Sequence, residues 1–167
     1  MGESMESLSE AAIVVICMDE FNGYDWSGRL YFRSREEPFA FRGTLELLKA
    51  LEGFCDRMDY PQESMSSRSF GPAEKNKKEE KGERIQAARK QKQEVVLSKA
   101  QIMENRGERA TFQLRIQYRQ RATWQGQITW IEENKTANFR STLELLKIID
   151  RTENCGKNQR SETNGWA

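Results

Sequence analysis

The chain reads as an α+β protein made by tandem duplication of a βββα unit, an antiparallel sheet with helices packed on one face. Three observations lead there. FRGTLELLK at residues 41–49 returns as FRSTLELLK at residues 139–147, with eight of nine positions identical, which points to two copies of one fold unit. The match runs back without a gap through Trp26 over Trp124 and Gly28 over Gly126, and Leu30 and Phe32 fall on Ile128 and Trp130, keeping apolar character and parity. A charged stretch without apolar periodicity separates the two matches.

The second copy is the clearer of the two. TFQLRIQY alternates, with Phe112, Leu114, Ile116 and Tyr118 on one face and Gln113, Arg115, Gln117 and Arg119 on the other, the pattern of a half-buried strand. TWQGQITWI repeats it, with Trp124, Gly126, Ile128 and Trp130 opposite Thr123, Gln125, Gln127 and Thr129. A hairpin around residues 120–122 joins the two. A polar stretch then leads through a short third strand ending near Phe139 to a helix. Ser141 followed by Glu144 forms a capping box in which the glutamate reaches back to the cap N–H. Leu145, Leu146, Ile148 and Ile149 make the apolar stripe, and Gly156 is the expected stop.

In the first copy Gly43 stands where Ser141 caps, and the helix continues to about Met58, with Leu48, Leu51, Phe54, Cys55 and Met58 as its stripe and Pro61 beyond its end. Its first strand, residues 12–18, is apolar on both faces, so a second layer is expected to cover it. One copy of this size hides too little surface to offset its ordering entropy. The two are therefore expected to pack as one pseudo-symmetric domain; a joint six-stranded antiparallel sheet is the simplest arrangement, and two face-to-face layers or pairing between chains are left open by the sequence.

The organisation that follows is a flexible leader at 1–11, the first repeat at 12–60, a charged linker at 61–108, the second repeat at 109–156 and a flexible tail at 157–167. The linker is rich in Lys, Glu, Gln and Ser, a composition of disorder or a solvated helix. Ile85, Ala88, Val95, Val96, Ile102 and Met103 hint at a helical segment in its second half that could cover the first strand.

Composition bounds the function. Lys and Arg number 27 against 26 Asp and Glu, so no global field commits the chain to a polyanion, and any such preference is local. Cys17, Cys55 and Cys155 lack CxxC spacing and there is no histidine, which argues against zinc and favours reduced thiols in the cytoplasm. The apolar run AAIVVICM is too short to span a bilayer, and its acidic leader is wrong for a signal peptide. No membrane association and no cofactor are expected. Without histidine, a nucleophile elbow or a glycine phosphate cradle, catalysis would have to rest on Arg and Glu alone. Glu46 and Glu144 read more simply as capping residues.

The sharpest candidate is the outward face of the second hairpin, where Gln113, Arg115, Gln117, Arg119, Arg121, Gln125 and Gln127 include no acid. Arginine and glutamine donors suit phosphates and base edges. The matching face of the first copy offers Ser27, Arg29, Tyr31 and Arg33, with the tyrosine able to stack a base. Arg42 and Arg140 precede the helices, where an arginine and free N–H groups can form an anion site, although a fold-supporting ion pair is the simpler reading.

YRQRATWQGQITW followed by FRSTLELLKIID resembles a motif of uncharacterised small hypothetical proteins of anaerobic Gram-positive bacteria, with a strand pair, a WQG turn and an FRSxLELL helix. The similarity covers residues 110–150. The first copy departs from it, with DWSGRLYF for TWQGQITW and glycine at the cap. The resemblance implies a bacterial cytoplasmic origin and, no activity being known for such proteins, no mechanism. The sequence thus predicts a non-enzymatic binding or regulatory module for nucleic acid or another polyanion, with a protein-interaction scaffold or self-associating homodimer as the alternative.

Overall fold

The computed structural model describes residues 9–61, 95–120 and 123–158, with backbone alone for residue 120 and for 154–158. The alternating segments form strands β1 (Val14–Phe21), β2 (Trp26–Phe32), β3 (Phe39–Phe41), β4 (Ala110–Gln120), β5 (Thr123–Trp130) and β6 (Lys135–Phe139). The helices are α1 (Thr44–Met58), α2 (Lys99–Met103) and α3 (Thr142–Asn158). The strands make one antiparallel sheet in the order β3-β2-β1-β4-β5-β6. The protein is α+β.

Register repeats along the chain. The β1–β2 pairs Val14↔Phe32, Met18↔Gly28 and Phe21↔Trp26 have counterparts 98 positions on in Phe112↔Trp130, Ile116↔Gly126 and Arg119↔Trp124. Gly28↔Phe41 has its counterpart in Gly126↔Phe139. Both hairpins slip register at matching places, between Met18 and Glu20 and between Ile116 and Tyr118. The inserted residues, Asp19 and Gln117, are β-bulges, and a bulge reverses the facing of every residue after it. At the sheet centre β1 and β4 pair from Val14↔Leu114 to Met18↔Ala110.

One face of the sheet carries α1 and α3. Leu47, Leu51, Phe54 and Cys55 of α1 and Leu145 and Ile149 of α3 bury against Ile16, Leu30, Phe112, Leu114 and Ile128. Phe54 stacks on Phe32 with ring centroids 4.5 Å apart. Among the described residues the other face is layered only in the first half. Ile13, Val15, Cys17 and Tyr31 are buried there beneath Ile102, with Leu97 and Met103 alongside, so the doubly apolar β1 does have a second layer. That layer comes from within the expected linker. Residues 62–94 lie outside the described residues.

The segment is tied down by its backbone. Val96 and Leu97 N–H donate to Arg33 O, Arg109 N–H donates to Met18 O, and Ser98 and Gln101 form a capping box on α2. The last three residues of the leader and the end of α3 depart from expectation, while α1 ends at Met58 as expected. Residues 9–11 form a helical turn and Ala11 is buried. α3 continues past Gly156 to Asn158, since a glycine stops a helix only where the backbone turns left-handed. In α1 that turn falls on Asp59.

The capping glutamates act one residue earlier than a capping box requires. Glu46 accepts from Arg42 N–H and Glu144 from Arg140 N–H, each at 2.7 Å, and Ser141 Oγ accepts from Glu144 N–H. Gly43 has no side chain to cap α1, and Asp25 does so from the foot of β2 by accepting from Thr44 N–H at 2.8 Å.

Gly28 and Gly126 sit where the strands come closest. A Cβ on either would lie 1.9 Å from Cys17 O or 2.1 Å from Arg115 O. Gly126→Ala should therefore destabilise the fold by about 1–3 kcal/mol or more, the cost of forcing atoms into a packed sheet. Gly53→Ala, inside α1 with only the flexible end of Arg57 nearby, should stabilise it by about 1 kcal/mol. Urea melts of the two variants check the opposite signs.

Candidate nucleic-acid interface

The strand pattern and the bulge decide which side chains reach the outer face. Cross-strand partners share a face, so Arg115 with Gln127, Gln113 with Thr129 and Tyr118 with Gln125 stand together on the outer side of β4 and β5. Thr136 and Asn138 of β6 continue the surface, Thr129 and Thr136 hydroxyls lying 3.0 Å apart and Gln127 donating to Asn138 Oδ1. None of these side chains is acidic. Glu132 stands at one corner, where it accepts from Thr111 N–H at 2.9 Å. Unlike the first half, this area has no layer over it among the described residues.

Strict alternation misassigns two residues here. Arg119 was expected outside and Tyr118 inside, and the bulge at Gln117 exchanges them. Arg119 is 5% exposed on the helix face, its Nε donating to Pro61 O at 2.6 Å and its guanidinium pairing with Asp56 at 2.7 Å. It fastens the end of α1 to the end of β4 and belongs to the fold. Tyr118 is 56% exposed on the outer face. The surface loses a charge and gains an aromatic ring.

The arginines of the first half are committed too. Arg29 makes a two-pronged pair with Asp19, the residue inserted at the first bulge, at 2.8 and 2.9 Å, and also donates to Tyr31 Oη and Arg106 O. The sequence reading of this face missed Asp19 because its position depends on the bulge. Tyr31, expected as a stacking ring, is buried beneath Ile102. Arg33 Nε donates to Leu97 O. Ser27 lies part-buried on β2, at the position that Gln125 takes in β5.

Arg42 and Arg140 are exposed at the entry to each helix. The structure assigns their backbone N–H groups, rather than their side chains, to Glu46 and Glu144. Arg121 lies outside the described residues. What the structure brings together from the predicted set is Gln113, Arg115 and Gln117 with Gln125 and Gln127. Arg115 Nε is buried without a hydrogen-bond partner among the described residues, a costly state for a guanidinium.

The electrostatics on the first half are structural. Burial pushes the Asp19 carboxyl up, but the Arg29 guanidinium and Glu108 N–H outweigh it and hold it below the ordinary value of 3.8. Burial also raises Asp25, and hydrogen bonds from Thr44 and from Trp26 N–H overcome it and hold it low. The Cys17 and Cys55 thiols, buried in opposite layers, are both pushed up to about 11, chiefly by desolvation, and stay protonated and unreactive at neutral pH. No helix among the described residues is long and apolar enough to cross a membrane. No family model, curated protein or solved structure matches the chain.

Two outcomes are expected. Because the folded pKa values of Asp19 and Asp25 lie below the unfolded ones, their stabilisation is complete above the unfolded value and is lost as pH falls through the folded value. Denaturation free energy should fall from about pH 5 toward about pH 3, and Asp25→Asn should flatten that slope. Arg119→Met should cost about 1–3 kcal/mol, because it removes a charged donor from the Pro61 carbonyl and from Asp56, as read from a shifted urea midpoint.

Proposed function

We propose that the chain is a tandem duplicate of a βββα unit whose second copy is a non-enzymatic module binding single-stranded nucleic acid on the outer face of β4, β5 and β6. The observation that carries this reading is the exposed Tyr118 ring on the same acid-free face as Arg115 and the glutamines. A ring of this kind stacks any base, while arginine and amide donors meet phosphates and base edges. The duplication is supported by the 98-residue recurrence of strand pairs, bulges and glutamate contacts. The first copy would then serve as a support, its outer face closed by α2 and its arginines held in ion pairs and backbone bonds.

The ligand contacts proposed are Arg115, Tyr118, Gln113, Gln117, Gln125 and Gln127. Arg121, Arg42 and Arg140 would extend the positive field at the margins, and Arg29, Arg33 and Arg119 are left out as structural. The two buried free thiols support a reducing, cytoplasmic setting, as does the resemblance of residues 110–150 to small bacterial proteins. Leu45 and Leu143 favour a second reading as a protein-interaction scaffold. They occupy matching positions on the first helical turns and are 64% and 61% exposed, an apolar feature with no role in the core.

Fluorescence anisotropy with labelled single-stranded RNA and DNA at two salt concentrations tests the first reading. Binding should weaken with salt as counterions are released. Arg115→Glu should abolish it, and Tyr118→Ala should weaken it about tenfold, within the range for loss of one stacked base. Salt-independent binding, or variants that bind like the parent, would refute the surface. The scaffold reading would then be pursued with Leu45→Asp and Leu143→Asp.

A further inference from the structure

A cleft opens on the opposite side of the sheet, between the first turn of α1 and the middle of α3. Phe21, Tyr24 and Trp26 from the β1–β2 hairpin line it, with Lys147 and Asp150 of α3 across from them. Phe21 and Trp26 lie with ring centroids 4.9 Å apart. Tyr24 is 96% exposed, so its ring contributes nothing to the core. The fold does not require Phe21 or Tyr24, since the positions 98 residues on carry Arg119 and Ala122, while Trp26 recurs as the buried Trp124. Trp26 is itself 6% exposed, and its buried Nε1–H has no acceptor among the described residues.

We infer that this cleft receives an arginine side chain from a partner polypeptide. Three aromatic residues line the cleft, and an aromatic face attracts a cation. Charge at the rim agrees with this, because Asp150 and the ionised Asp25, which is bonded to the Thr44 that lines the cleft, outnumber Lys147. The other half shows that such a rim tolerates a guanidinium. Lys49 and Glu52 occupy the positions matching Lys147 and Asp150, and Arg119 is held at that end of the fold, paired with Asp56 and beside the Trp124 it faces across the strands. In the first half Phe21 takes the place of Arg119, and the guanidinium has to come from outside.

The test uses the full chain, labelled with nitrogen-15, and two capped tripeptides, acetyl-Gly-Arg-Gly-amide and its neutral isostere with citrulline. The arginine peptide should shift the indole N–H resonance of Trp26, assigned with a Trp26→Phe variant, saturably in the millimolar range. The citrulline peptide should bind about threefold more weakly or worse, as expected when the cation is lost over exposed rings. Tyr24→Ala, at a site too exposed to disturb folding, should weaken binding to a similar degree. Equal binding of both peptides, an unaffected Tyr24→Ala variant, or no saturable shift would each overturn the assignment.

Discussion

Pairing of β1 with β4 joins two small sheets into one, and the rest of the molecule depends on it. Each half has three strands and one long helix, too little to bury a sufficient core alone. Joined from Val14↔Leu114 to Met18↔Ala110, the halves give a continuous surface on which α1 and α3 bury one set of apolar residues. The junction also explains the composition of β1. Residues Val14–Met18 of β1 lie in the interior of the sheet, with helices on one face and Ile102 on the other, so neither set of their side chains meets water and neither can be polar.

Two inserted residues then set the chemistry of the strand ends. Asp19 at the first bulge meets Arg29 and helps close that half. At the second, Gln117 and Gln127 stand at the positions of Asp19 and Arg29, so no ion pair forms there, and the insertion turns Arg119 inward. The two halves thus share a backbone plan and differ in what they expose.

Most of the backbone plan was legible in the sequence. The six strands and the two long helices follow from period-two alternation and from the repeated FRxTLELLK string, whereas the single antiparallel sheet was only the simplest of three arrangements that the sequence left open. The need for a layer over residues 12–18 was legible from their composition, and Ile102 and Met103 were among the residues named for it. The candidate surface was legible only up to Ile116. A bulge leaves no mark in the alternation of TFQLRIQYRQ, because Tyr118 and Arg119 are each acceptable on either face by composition alone. Their true facing is fixed by the tertiary partners Asp56 and Pro61, more than fifty residues away. The same blindness hid Asp19 from the reading of the first face. The cap on α1 was missed for a related reason, since Asp25 reaches Thr44 from a different element.

The strand order has a kinetic side. Nearly all pairings within each half are local in sequence, while the central β1–β4 pairs join residues about a hundred positions apart, so the fold combines low and high contact order. The halves can organise early, and the central seam has to wait for closure of a long loop. Closure entropy grows only with the logarithm of loop length, about 0.6 kcal/mol for each doubling. Outside residues 95–109, which cover β1 and bond to the sheet, the length of the segment between the halves is therefore almost free of thermodynamic constraint, and it can vary widely while the sheet it connects stays the same.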